Sequence, residues 1–299
     1  MVSLYVVTLV LFIAVRQWVV AASLFTLAIA FLPSTVNALE IKYTRENPFP
    51  NPAVGAETLL LSGKIISGDY AKLIQVVSDD IPRYLNSVRI ILASPGGDVQ
   101  EAIKIARFVR STYREVVVGP RFGPCVSACF LIFASALTRF AGPEMVAFHR
   151  PDVTGELLKG LSVTDADTNQ LFLNKAVKEY LSALQIPIQL IDTMMSMRST
   201  ELYWLSGDDL LERVGRRARW YEQFLTTHCG LDKGAESEYF SGKSNKNADL
   251  LRHLIEVRNC AEILNAAETI TFVTKESGEL RQTMSTRFSA TASAHLPLN

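Results

Sequence analysis

Between residues 57 and 215 short apolar runs alternate with stretches of helical periodicity, and that alternation restricts the fold more than any other feature of this 299-residue chain. Leu59 to Leu61, Ser87 to Ala93, Glu115 to Val118 and Met145 to Phe148 read as strands. Between them, Ala71 to Leu85 and Val99 to Thr112 carry apolar residues at helical spacing, and Ser127 to Leu137 is small and apolar enough for a buried helix. Residues 165–184 and Ile188 to Met197 predict two further helices. Tyr203 to Ser206 predicts a strand that caps a helix from Gly207 to Val214, with Gly215 as its stop. The pattern is that of an α/β domain.

The flanks differ from this middle. Residues 1–38 hold almost no charge and fall into two apolar runs separated by Arg16, Gln17 and Trp18, the second ending in Val36-Asn37-Ala38. The order basic, apolar, small predicts a secretory signal cleaved after Ala38, with a retained membrane anchor as the alternative. Either places the remainder outside the cytoplasm. Residues 39–57, with Pro48, Pro50 and Pro52, read as an extended linker, and residues 58–215 as the folded domain. Residues 216–299 form a C-terminal extension. It starts with Arg216, Arg217 and Arg219, read as a solvated helix end or a contact to acidic lipid. A Gly/Ser/Lys/Asn-rich loop follows near residues 230–248, then an amphipathic helix from Ala248 to Ala267 and a partly disordered Ser/Thr-rich tail.

Lys plus Arg (30) balance Asp plus Glu (30), which removes any global electrostatic case for a nucleic-acid partner. With 48% hydrophobic residues the chain is not a disordered one, and four cysteines are too few for a disulfide scaffold of this size.

Three segments carry candidate chemistry. In Ser94-Pro95-Gly96-Gly97-Asp98, between a strand and a helix, paired glycines permit positive φ and a close backbone approach to a ligand; an ordinary turn is the plainer reading. In Cys125-Val126-Ser127-Ala128-Cys129, a serine at a buried helix start combines a nucleophile with the Ala128 N–H as oxyanion donor, unless Ser127 is simply an N-cap. In Phe148-His149-Arg150-Pro151, a histidine at a strand end can serve as general base or as a hydrogen-bonded structural residue.

Taken in order, these segments resemble the ClpP/crotonase superfamily, in particular ClpP-like serine peptidases and related membrane-associated signal-peptide peptidases. The resemblance spans roughly Leu59 to Gly215. Leu61-Ser62-Gly63-Lys64-Ile65 resembles the first strand and turn, Ala93-Ser94-Pro95-Gly96-Gly97 the oxyanion loop, Val126-Ser127-Ala128 the nucleophile segment and Phe148-His149-Arg150-Pro151 the His-x-Pro segment, with His149 following Ser127 by 22 residues. Trp204-Leu205-Ser206 through Gly215 resembles the closing strand and helix. The resemblance implies a superhelix of ββα units, with Ser127 as nucleophile, His149 as base, and the N–H groups of Gly97 and Ala128 as the oxyanion hole. Where ClpP-like enzymes carry an aspartate this chain has Leu202, so Glu201, or more remotely Asp192, is the candidate third member.

The leading expectation is therefore an exported or membrane-anchored serine hydrolase acting on peptides or proteins, self-associating, and needing no cofactor or metal. A catalytically silent scaffold with the same fold is the second expectation, and a crotonase-type acyl-CoA enzyme the third. Cys125 and Cys129 are spaced for a bridge with each other or elsewhere, and Cys229 and Cys260 for a second one. Four buried thiols, or Cys125 itself as nucleophile, are the alternatives.

Overall fold

The computed structural model describes residues 38–49, 56–87, 89–153, 162–241 and 247–294, without the side chains of residues 240, 241, 247 and 284–294. Apart from Ala38, the leader lies outside the described residues, as does segment 50–55 of the predicted linker.

Three short apolar runs, buried on both faces as strands covered by crossover helices usually are, pair in parallel, and a fourth, more mixed segment extends them. They are β2 (Thr58–Ser62), β3 (Arg89–Ala93), β4 (Glu115–Val118) and β6 (Thr138–Ala141), preceded by β1 (Glu40–Thr44), and the sheet order is β1-β2-β3-β4-β6 with β1 antiparallel. A smaller sheet contains β5 (Cys125–Val126), β7 (Val146–Phe148) and β8 (Tyr203–Trp204) in the order β5-β7-β8.

Single bridges extend that second layer: Ala38 with Lys64, Ile65 with Gly97, and Ser94 with Cys125. Each long strand is thus followed by a short pairing segment and then a helix. β2 passes through Lys64 and Ile65 to α1 (Asp69–Asp79), and α2 (Ile81–Asn86) follows. β3 passes through Ser94 to Gly97 into α3 (Val99–Ser111), β4 through β5 into α4 (Cys129–Ser135), and β6 through β7 to α5 (Val163–Ala183). This is the ClpP/crotonase-like succession of ββα units. It is completed by α6 (Ile188–Ser196), a short π-helical segment (Asp209–Arg213) and a C-terminal extension of α7 (Arg219–Cys229), α8 (Lys233–Ser241) and α9 (Asn247–Ala294).

The main core joins Leu59, Leu61, Ile90, Leu92, Val116 and Val118 of the sheet to Ile105, Phe108 and Val109 of α3 and to the wholly buried α4. A second cluster places Leu137 against Tyr221, Leu225, Val257 and Ala261 of the extension.

Several expectations change. The predicted helix from Ala71 to Leu85 is two helices, because Pro82 cannot continue the first. Asp80 caps the second, accepting a 3.0 Å hydrogen bond from the Arg83 amide. Within the predicted linker, Glu40–Thr44 is an edge strand in register with β2. The predicted helix from Gly207 to Val214 is the π-helical segment, although Gly215, at φ 74°, does stop it. The loop predicted near 230–248 contains α8, and the helix predicted to end at Ala267 continues to Ala294 through the Ser/Thr-rich stretch. Arg216 and Arg217 do not make a solvated end, since both guanidiniums face Glu236, Arg217 through two nitrogens, whereas Arg219 is exposed.

Cysteines pair as Cys125–Cys129 and Cys229–Cys260, so neither four buried thiols nor a free Cys125 nucleophile describes the chain. Among the described residues no helix is long and apolar enough to cross a membrane, and no group of His, Cys, Asp and Glu is arranged to hold a metal ion.

Candidate active site

Two backbone segments meet beyond the carboxyl ends of the parallel strands, the usual place for a ligand crevice in an α/β sheet. The first is the loop after β3. The Ser94 amide donates to the Pro124 carbonyl at 3.0 Å, and its own carbonyl accepts from the Val126 amide at 2.8 Å, so the loop is zipped onto β5. Its buried hydroxyl accepts from the Gly96 amide at 3.1 Å. The chain then turns through Gly96 and Gly97 at φ 93° and 145°, the left-handed region that favours glycine. Asp98 caps α3 by accepting from the Glu101 amide at 2.8 Å.

The second segment is the elbow at Ser127. The Cys125 amide donates to Met145, and the Ser127 amide to Ala147 at 3.0 Å, which holds this stretch on the β7 edge. Ser127 itself has φ 60°, a left-handed conformation that costs a non-glycine residue on the order of 1 kcal/mol or more. Its turn directs the chain from β5 into α4. The N-cap of α4 is Ala128, which supplies no side-chain cap, so the N-cap reading of Ser127 is replaced: its hydroxyl makes no hydrogen bond within the described residues.

A cavity of about 160 Å³ lies between these segments, lined by Gly97, Val99, Ser127, Ala128, Leu131, His149, Pro151, Asp152, Val177 and Met194. All four residues singled out from the sequence, Ser127, His149, Gly97 and Ala128, therefore border one space. Neither the Gly97 nor the Ala128 N–H donates to another backbone group among the described residues, which leaves two donors beside the serine. His149 hangs from the end of β7, and its Nδ1 lies 2.7 Å from the carbonyl oxygen of Arg150. A carbonyl only accepts, so Nδ1 is the donor of this contact, and in the neutral ring Nε2 is the acceptor. Ser127 Oγ and the His149 ring are not hydrogen-bonded to each other in this structure.

Candidates for the third member do not reach the cavity. Glu201 is exposed beside its own loop, accepting from the Arg198 amide at 3.2 Å, and Asp192 pairs with Lys178 at 3.3 Å. The carboxylate that does line the cavity is Asp152, three residues beyond His149, and nothing in the sequence pattern distinguished it. Val99, Leu131, Val177 and Met194, which make the apolar wall, were legible only as helix core positions.

The strand that ends at His149 is braced through Phe148. Phe148 stacks on Tyr203 at 5.1 Å between ring centroids, and the Tyr203 hydroxyl donates to Asp209. The Asp209 carboxylate also accepts from the Ser206 amide and hydroxyl and pairs with Arg213. Burial pushes its carboxyl up, but those donors outweigh burial and hold it below the usual carboxylate range.

A larger cavity of about 480 Å³ lies away from this chemistry, at the opposite ends of the strands, between Arg89, Glu115 and Thr138 and helices α7 to α9. Volume favours that space, but no serine, cysteine or histidine is among the residues that line it, whereas the smaller one brings a serine and a histidine together and is the candidate active site.

Among known proteins, no family model matches the chain, and no curated protein matches it. Solved structures do. ClpP1 from Listeria monocytogenes is 18% identical, with 50% of this chain and 83% of that one covered at a TM-score of 0.35. A variant of the membrane-bound stomatin-specific protease 1510-N is 16% identical, over 57% and 83% of the two chains, at 0.36. A proposed enoyl-CoA hydratase from Streptomyces coelicolor A3(2) is 13% identical, over 88% and 94%, at 0.35. The fold description rests on the strand order and bridges given above.

Proposed function

We propose that this chain is a serine hydrolase acting on peptide bonds through an acyl-enzyme on Ser127. The observation that carries the reading is the shared cavity: a hydroxyl at a left-handed elbow and two backbone N–H groups, all without a hydrogen bond among the described residues, beside an imidazole that donates from Nδ1. Ser127 Oγ attacks the substrate carbonyl carbon while His149 Nε2 takes its proton. Negative charge developing on the carbonyl oxygen is met by the Gly97 and Ala128 N–H groups, worth about 3 to 4 kcal/mol per donor in hydrolases of this kind. His149 then passes the proton to the leaving amine, and water releases the acyl group by the reverse steps.

The Arg150 carbonyl fixes the tautomer that a triad acid would fix. Being neutral, it stabilises the imidazolium less, and replacing such an acid by an amide costs about 10⁴ in rate elsewhere. A slow enzyme is therefore expected, and Asp152 at the cavity rim is the nearest anionic group that the reading offers. The apolar wall and small volume suit one side chain of a peptide rather than a CoA ester. The leader sequence and two disulfides support an extracytoplasmic, exported or membrane-anchored location, and self-association remains part of the proposal.

The test is labelling with a fluorophosphonate. The wild-type chain should be modified at Ser127, and Ser127→Ala should lose the label altogether; an equally labelled alanine variant overturns the assignment. The second reading, a silent scaffold that binds a partner in this cleft, is favoured by the lack, among the described residues, of an acid hydrogen-bonded to His149 and of a Ser127–His149 hydrogen bond. It prevails if no ester or peptide is turned over in a Ser127-dependent way.

A further inference from the structure

The Cys125–Cys129 disulfide encloses Ser127 symmetrically, two residues to either side, and this placement has a consequence for the hydroxyl and for one oxyanion donor. On the strand side the elbow is well anchored. The amides of Cys125, Val126 and Ser127 donate to Met145, Ser94 and Ala147 respectively. On the helix side there is little to match this. Ala128 offers no capping side chain, its N–H makes no hydrogen bond among the described residues, and the turn into the helix is made by the Phe130 amide to Ser127 and the Leu131 amide to Ala128. A residue held at φ 60° tends to relax toward ordinary backbone, and that relaxation would swing the Ala128 N–H away from Gly97. The bond between a cysteine on β5 and one on the first turn of α4 opposes that motion. Both cysteines are fully buried beneath the elbow and neither lines the cavity.

Resting on the hydrolase reading, we propose that Cys125 and Cys129 are positioning residues of this active site: their disulfide holds Ser127 and the Ala128 N–H in the geometry for acyl transfer, and the oxidised pair is the competent form. A displacement of about 1 Å in such a group costs on the order of 100-fold in rate. The effect falls on the chemical step rather than on substrate binding, because the apolar wall comes from other elements.

The experiment compares Cys125→Ala/Cys129→Ala with Cys229→Ala/Cys260→Ala, using a p-nitrophenyl ester and fluorophosphonate labelling. In the first pair kcat and the labelling rate should fall at least tenfold with KM within twofold of wild type; in the second pair both should stay unchanged. An unaltered kcat in the first pair, or equal losses in both, overturns the proposal. Should the first variant fail to fold, the second is treated with a dithiol reductant. Its remaining disulfide takes two electrons and two protons to give two thiols, and the reductant closes to its own cyclic disulfide. Labelling should slow once mass spectrometry finds both thiols free, and should return on reoxidation; labelling that does not slow overturns the proposal. Wild-type protein without Ser127-dependent turnover sinks the hydrolase reading and this one together, whereas turnover indifferent to the bond sinks this one alone.

Discussion

At Gly97 the backbone runs so close to the neighbouring strand segment that a Cβ would stand 2.0 Å from the carbonyl oxygen of Ile65, and at Gly96 one would stand 2.7 Å from Cβ of Ser127. The glycines were legible as a place of close backbone approach, but the sequence suggested a ligand as the neighbour. The structure shows that the first thing approached is the chain itself, which is how the glycine loop is registered against Ser127. Gly97→Ala must therefore displace a carbonyl that also accepts the Asp98 amide. Its expected outcome is a folded but less stable protein whose fluorophosphonate labelling is slowed about 100-fold or more, the cost of losing one oxyanion donor. Labelling at the wild-type rate would mean that the Gly97 N–H faces no reacting oxygen.

The elements that carry His149 depend on a short segment that periodicity could not describe. A strand and an ordinary helix were expected from Tyr203 to Val214; the chain instead makes a two-residue strand and a π-helical segment organised around the buried carboxylate of Asp209. Because the folded state holds that carboxyl below its unfolded value of about 3.9, its contribution is fully present above that pH and is lost as pH falls through the folded value. Asp209→Asn should lower the thermal midpoint at neutral pH and flatten its decline below about pH 4. Parallel wild-type and variant curves across that range would show that Asp209 takes no part in acid unfolding. Other elements were hidden for similar local reasons. Thr138–Ala141 is too short and too mixed to signal a strand, and its Arg139 is buried because the carbonyls of Ala134, Ala136, Val214 and Gly215 receive its guanidinium. The prolines after β1 masked an edge strand in what read as linker. What was legible, namely the buried strands, α3, α4 and the order glycine pair, serine, histidine, is what backbone burial and spacing express directly. The contact of His149 Nδ1 with the Arg150 carbonyl was not legible, because it is made to the backbone and no residue type announces it.

Across the whole described chain the C-terminal extension behaves as part of the domain rather than as an appendage. α9 lies along α1 and touches α2 and α3; the hydroxyls of Tyr70 and Tyr113 donate to Glu276 and Glu268, and Leu137 joins the apolar cluster of α7 and α9. Cys229 at the end of α7 and Cys260 within α9 close a loop with a sequence separation of 31 residues. A loop of that length stabilises by about 2 to 4 kcal/mol through restriction of the unfolded chain. This bridge neighbours Leu225 and Ala261, which line the larger cavity, and neither of its cysteines lines the site. Cys229→Ala/Cys260→Ala should consequently lower the thermal midpoint by several degrees while the Ser127 labelling rate at 25 °C stays within twofold of wild type. A midpoint that does not move would indicate that the packing of α9 on α1 and α7 already holds the extension without the bond. A labelling rate that collapses while the fold survives would mean instead that the extension sets the geometry of the cleft, and that the two disulfides do not divide their tasks between fold and site.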